Sequence, residues 1–522
     1  MGNASSTPTA APAYSEKHAA SQRNAGAASP SAAADLLAQL SLRSAAGTAK
    51  SKPSPAEATI TRANLAAWGE SFESNPKHRL ASTVLSKANF TEQLVSRKAQ
   101  RQVPQVFNVA LSTEGNPVTN QKSSGRCWLF ASTNYLRILM ARKYDLDEFQ
   151  LSQSYLFFVD SLSKANYFLE QMLDLAPDHE LDDRLVQHLM SDPEGDGGQW
   201  SMIVNLFETF GLCPQQVFPE SANSSATGKL DALLTAKLRE YALELRSLYE
   251  QALHTLSALD GKSLEEKKAL AVMSARKRKE EQMSEVYRIL AIALGQPPKP
   301  DDDITWEYYS KSDKKYHKVV TTPLEFYRKY CLVDVSTHLS LVNDPRHAYS
   351  TVLEVERLGN VWGGQKIKYI NTDIDVLKQT AIKLLKSDVP VWFGCDVGKF
   401  SSSTLGIMDT ELYDLDQGFG ITLGMNKADR LRTGESMMTH AMLLHSVHID
   451  EKTGKPTRWR VENSWGVDAC DKGYMVMSDE WFTQFVYQIA ADRKVIPKDL
   501  LDVFDKQESI KLPPWDPMGT LA

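Results

Sequence analysis

The chain has 522 residues, 42% of them hydrophobic and 24% charged, a balance that supports a large buried core and excludes fibrous, coiled-coil and collagen-like classes. A net charge of −6 excludes a general attraction to nucleic acid or to an anionic membrane, so any such binding must be local. Five widely spaced cysteines, Cys127, Cys213, Cys331, Cys395 and Cys470, form no C-x2-C pair and no metal pattern, which fits a reducing compartment. No stretch approaches the ~18 uninterrupted apolar residues of a membrane span.

Residues 1–58 hold eighteen alanines and ten serines with a single aromatic, Tyr14, too little apolar surface to offset the entropy of ordering, so they read as a disordered extension. Two targeting signals compete with plain disorder there. MGNASS fits myristoylation at Gly2, and the amphipathic run Asp35 to Arg43 fits an organelle transit peptide. From Thr61 to Arg101 the pattern is helical, with Asn64 and Ser82 as expected caps and Trp68, Phe72 and Leu80 as anchors on the core. Val103 to Leu111 reads as a strand and Asn116-Pro117 as a turn. Then NQKSSGRCWLFAS, Asn120 to Ser132, passes from polar loop chemistry to an apolar, Gly- and Pro-free run up to Met140, as expected of a core helix. Cys127 falls in its first turn, where unpaired N–H groups and the helix dipole favour thiolate. An inert buried cysteine is the bland alternative.

Leu151 to Glu170 predicts a second helix capped by Ser152, and SDPEGDGGQW, Ser191 to Trp200, a glycine-rich loop. Leu230 to Leu294 is helical and broken near Gly261. It carries the basic run Arg276, Lys277, Arg278, Lys279 among Glu265, Glu266, Glu280 and Glu281, which reads first as a solvated, paired face. After a Pro/Asp-rich linker at 297–303, Val389 to Cys395 is an apolar strand, and His440 to Val447, Arg458 to Glu462 and Gly473 to Met477 predict strands of one antiparallel sheet. The tail LPPWDPMGTLA, Leu512 to Ala522, is stiffened by three prolines and anchored by Trp515.

A nucleophilic thiol needs a base to hold its proton, and an imidazole needs a third group to fix its ring and tautomer. Cys127, His440 and Asn463 can fill these roles. Gln121, six residues before Cys127, can donate its amide to an oxyanion. His445 and His448 compete with His440 on spacing alone. The order Gln-Cys-His-Asn, with Q-x5-C-W and N-S-W-G around it, resembles the papain-like cysteine peptidases. N-Q-K-S-S-G-R-C-W, L-S-Q-S-Y-L-F-F, N-D-P-R-H, M-T-H-A-M, R-V-E-N-S-W-G and W-D-P-M-G are similar to the bleomycin hydrolase family within them, over roughly residues 60–522. The M-T-H-A-M context selects His440 over the other two histidines.

This resemblance implies an α+β, papain-like two-lobed fold, a helical lobe bearing the cysteine and an antiparallel sheet lobe bearing the histidine. The expected divisions are an extension at 1–58, a first part of the core at 59–229, a helical insertion at 230–300, a second part at 301–511 and an arm at 512–522 directed to the active site. It also implies cysteine aminopeptidase activity on peptides and small amides, bleomycin and homocysteine thiolactone among them, in a cytoplasmic homohexamer without metal or organic cofactor. Gly197 and Gly198 would border the substrate, Trp465 would shield the His–Asn bond, and the Ala522 carboxylate would meet the substrate's amino group. Because the chain already stops at Ala, the arm is expected to need no self-processing. DNA or RNA binding through Arg276, Lys277, Arg278 and Lys279, in a ring whose catalytic set is incidental, is the competing reading from a different class. Mitochondrial residence competes with the cytoplasmic reading.

Overall fold

A computed structural model describes residues 59–521. The readings at Gly2, Asp35 to Arg43 and Ala522 lie outside the described residues. The chain divides into two compact units, one ending at Ser82 and the other beginning at Thr83. In the first, Arg62–Ser74 is opened by Thr61, whose hydroxyl accepts from the Asn64 N–H while the Asn64 side chain answers the Thr61 N–H. Asn64 is therefore the third residue of a capping box and not the cap. Ser82 sits inside the helix Pro76–Leu85, and the expected anchors Trp68, Phe72 and Leu80 are exposed.

In the second unit the helices that position the site are α1 (Cys127–Tyr144), α2 (Gln153–Leu175), α3 (Trp200–Phe210), α4 (Gly228–Ser257) and α5 (Leu264–Leu294). α1 is buried along almost its whole length, as its lack of polar periodicity requires. Ser152 caps α2 by accepting from the Tyr155 N–H at 3.0 Å. The predicted long helical stretch is two helices, α4 and α5, broken at 258–263 around Gly261, whose φ of +82° glycine adopts without strain. Both pack on each other and on α2.

A twelve-stranded sheet makes up the other layer. Its main strands are β1 (His338–Val342), β2 (Thr351–Val355), β3 (Lys368–Asn371), β4 (Val391–Cys395), β5 (His440–Ile449), β6 (Pro456–Glu462), β7 (Tyr474–Ser478), β8 (Val486–Asp492) and β9 (Ile510–Leu512). Their order is β9-β2-β3-β1-β8-β4-β5-β6-β7, followed by the short strands Ile407–Met408 and Ser401–Ser402. β5 to β7 are antiparallel, as the sequence predicts, and β4 joins them antiparallel to β5. Three pairings are parallel: β9 with β2, β1 with β3, and β7 with Ile407–Met408. Each joins strands distant in sequence, for which local pattern carries no signal. At the centre, Trp200 lies 5.6 Å from Trp392 and 5.9 Å from Tyr135, ring centre to ring centre, so α1, α3 and β4 share one aromatic core.

Candidate active site

The loop before α1 is held internally. The Gln121 Nε2 donates to the Ser124 carbonyl at 2.6 Å, the Ser124 hydroxyl returns to the Gln121 carbonyl at 2.6 Å, and the Arg126 Nε donates to the Ser124 Oγ at 3.0 Å. Arg126, fully buried, closes the loop with a bidentate pair to Glu220 at 3.1 and 3.0 Å. The chain therefore enters α1 in one conformation, and Cys127 becomes its first residue with the thiol almost wholly buried.

Across the sheet, β5 begins at His440 and β6 ends at Glu462, one residue before Asn463. The His440 Nε2 lies 2.9 Å from the Asn463 Oδ1. That oxygen also accepts the Ser464 N–H at 2.8 Å, which fixes the amide orientation and makes the imidazole Nε2 the donor. The Nδ1 lone pair is thereby left as the proton acceptor. Trp465 lies over the pair, its ring 5.1 Å from that of His440. Ser464 links this pair to the loop: its hydroxyl donates to the Gln121 Oε1 at 2.6 Å, and its carbonyl accepts the Gln121 N–H at 2.8 Å. The Gln121 amide is held at both ends, and its second amide hydrogen has no partner among the described residues.

The thiol meets the N–H groups of Cys127 and Trp128 at the start of α1 and of Ala441, the residue after His440. These favour thiolate, as the sequence predicts, but burial outweighs them and pushes the thiol up to about 12, with the Asp196 charge adding in the same direction. Burial also pushes His440 down to about 4, against the opposing hydrogen bond that its ring donates to Asn463. Either charge alone is disfavoured; a proton passing from Sγ to the imidazole creates both together, and each compensates the other. His445 is likewise held down to about 4 by burial, and its Nδ1 faces Ser446 at 3.1 Å. It makes no hydrogen bond to Asn463.

The glycine loop lies against Trp128. A Cβ on Gly198 would fall 2.4 Å from the Trp128 ring, so only glycine allows this approach. The Gly197 carbonyl is taken by the Lys164 Nζ at 2.6 Å, whereas the Gly198 N–H and carbonyl have no hydrogen-bond partner among the described residues. The C-terminal arm reaches the same place. β9 pairs with β2, the Arg184 guanidinium stacks 3.8 Å from the centre of the Trp515 ring, and the Gln199 Nε2 donates to the Thr520 carbonyl at 2.7 Å. The basic run is not gathered here. Arg276 and Lys279 bind Glu170 at 2.8 and 3.0 Å and Arg278 binds Glu244 at 2.8 Å, which leaves Lys277 alone of the four without an ion pair among the described residues. Sequence reading passes over Ser464, Asp196 and Gln199, and takes Cys395, which stands opposite His440 in the sheet, as structural. Ser464 sits within the N-S-W-G motif, but the others carry no local signal.

An α+β fold that brings a helix-terminal cysteine to a His–Asn pair on a neighbouring sheet defines the class of papain-like cysteine peptidases. Residues 59–519 match the Peptidase C1-like family. Cysteine proteinase 1, mitochondrial, of Saccharomyces cerevisiae is 43% identical over 469 residues, 89% of this chain and 93% of that one. Human bleomycin hydrolase is 43% identical over 466 residues, 88% of this chain and 98% of that one. The crystal structure of PepW from Lactobacillus rhamnosis matches with a TM-score of 0.81 at 39% identity, over 89% of this chain and all of that one. The chain belongs to the Peptidase C1-like family, as a cysteine peptidase of the bleomycin hydrolase group.

Proposed function

We propose that the chain is an aminopeptidase that cleaves the amide after a free N-terminal residue through a thioester at Cys127. The observation that carries this reading is the doubly bonded Asn463 Oδ1, which forces the donor onto the His440 Nε2 and leaves Nδ1 to take the thiol proton. Sulfur attacks the scissile carbonyl as that proton leaves, and the oxyanion accepts from the free Gln121 amide hydrogen and the Cys127 N–H. Collapse breaks the C–N bond, with His440 returning its proton to the departing amine. Water, deprotonated by His440, then hydrolyses the thioester.

The unpaired Gly198 N–H and carbonyl supply a backbone ladder for the substrate, with Gly197 beside it. The arm, held by Gln199 next to that ladder, brings the Ala522 carboxylate toward the substrate ammonium and closes the groove to longer chains. Small amides such as bleomycin and cyclic thioesters such as homocysteine thiolactone suit a site that grips one residue. Leu233, Leu243, Met273 and Ile292, exposed on α4 and α5, offer surface that the contacts of a homohexamer would cover. We place the enzyme in the cytoplasm; the name of the yeast relative supports the mitochondrial alternative.

Rates on paired free and N-acetylated aminoacyl amides test the reading. Strong preference for the free amine, with mass-spectrometric trapping of an acyl group on Cys127, is the expected result. Equal rates on both, or an acyl group elsewhere, would refute it.

A further inference from the structure

We propose that Asp196 is a positioning residue for this peptidase, binding the Cys127 loop to the Gly197–Gly198 loop so that the thiol stands at a fixed place relative to the substrate-binding backbone. The proposal rests on Cys127 being the nucleophile and Gly198 part of the substrate site. The Asp196 Oδ2 accepts the Gly125 N–H at 2.5 Å and the Thr227 hydroxyl at 2.5 Å, and the Asp196 carbonyl accepts the Trp128 indole N–H at 2.7 Å. One residue therefore holds the chain two positions before Cys127 and the side chain immediately after it. Gly125 fits because it has no side chain, a Cβ there falling 2.2 Å from the Asp196 Oδ1.

The other side of the bracket is equally fixed. The Lys164 Nζ donates to the carbonyls of Gly195 and Gly197 at 2.6 Å each, flanking Asp196, and pairs with Asp160 at 2.7 Å. Asp160, Lys164 and Asp231 are charged groups that act with Asp196, and burial raises the Asp231 carboxyl to about 7 as well as the carboxyl of Glu194, two residues before Asp196. All five cysteines are free, so no covalent bond joins the two loops. Asp196 and the Trp128–Gly198 contact do this instead.

A carboxylate acting only on the charge of Cys127 and one acting on geometry give opposite results when removed. Loss of the charge alone would ease thiol ionisation and speed the enzyme at low pH. Loss of position slows it, because displacement of a reacting group by about 1 Å costs on the order of 10²-fold. In the full chain, kcat/KM on a free aminoacyl amide and the pH profile of iodoacetamide labelling at Cys127 separate the two. We expect Asp196→Ala to lower kcat/KM about 10²-fold while the labelling midpoint moves to lower pH. Asp196→Asn keeps an acceptor oxygen for Gly125 without its charge; it should lose roughly tenfold, because neutral hydrogen bonds are about half as strong, and share the shifted midpoint. An Asp196→Asn enzyme with wild-type kcat/KM, or one faster at low pH, overturns the proposal whether or not Asp196→Ala folds. Full activity in Cys127→Ala would instead fell the nucleophile reading, and this inference with it.

Discussion

At the scale of single residues, the site depends on hydrogen bonds that leave each functional atom one role. Asn463 gives up its carbonyl oxygen to His440 and Ser464, so exchanging it for Asp would add a charge, and exchanging it for Ala would free the ring. We expect Cys127→Ala and His440→Ala to lower turnover by several orders of magnitude with the circular dichroism spectrum unchanged, since members of one catalytic unit fail together. Gln121→Ala removes one oxyanion donor and should cost about 10² to 10³ in kcat with little change in KM. A Gln121→Ala enzyme that lost only KM would show the amide serving binding instead. The places of these residues, at a helix start, a strand start, a strand end and the loop before the helix, were legible in the sequence because each lies in a motif whose neighbours build its local geometry. Asp196 was not, because its partners Gly125 and Thr227 lie 71 and 31 residues away, and nothing in G-D-G-G distinguishes an anchor from a turn.

At the scale of elements, α1 and β6 are tied by a pair that the sequence could not announce. Arg137 on α1 and Glu462 at the end of β6 are both fully buried and meet at 2.7 Å, one residue from Asn463. Burial lowers the arginine and raises the carboxyl, so each depends on the other for its charge. Glu462→Gln strands the guanidinium and should destabilise the fold by about 3–5 kcal/mol in urea unfolding. A loss under about 1 kcal/mol would mean that water reaches Arg137. β5 adds a pH dependence. His440 and His445 are held near about 4 in the fold and return to about 6.5 when unfolded. Between these values the unfolded chain binds more protons, so stability rises with pH and is lost as pH falls from about 6.5 toward 4. His445→Gln should remove close to one proton from that slope, measured as urea midpoint against pH, and an unchanged slope would count against its burial. α1 and the strands β4, β5 and β7 were legible as unbroken apolar runs, because they are buried on all sides. The parallel strand pairs stayed hidden, since their partners are set by chain segments far apart.

At the scale of the whole molecule, the C-terminal arm is held at four places whose partners come from different parts of the second unit. The Trp515 ring lies under Arg184, Asp516 pairs at 2.7 Å with Arg346, which itself binds Asp344 at 2.8 Å, the Tyr369 hydroxyl donates to the Met518 carbonyl at 3.2 Å, and Gln199 donates to the Thr520 carbonyl at 2.7 Å. The prolines and Trp515 made an ordered arm legible, but its path could not be read, because β9 joins the sheet beside β2 and Gln199 stands 321 residues from Thr520. Burial opposes the charge on Arg346, but its two carboxylates outweigh that and raise its affinity for its proton still further. If the arm gates the site, loosening it should change selectivity before it changes chemistry. Deleting 519–522 should therefore leave labelling of Cys127 by iodoacetamide at its wild-type rate, while N-acetylated aminoacyl amides and internally cleaved peptides become substrates. Arg346→Met should move selectivity in the same direction by a smaller factor, since the Gln199 and Trp515 contacts persist. The ratio of kcat/KM for free over N-acetylated substrate measures both. If the truncated enzyme refuses N-acetylated substrates as strictly as the full chain, the arm does not read the amino group, and exclusion of longer peptides must come from the walls of the groove.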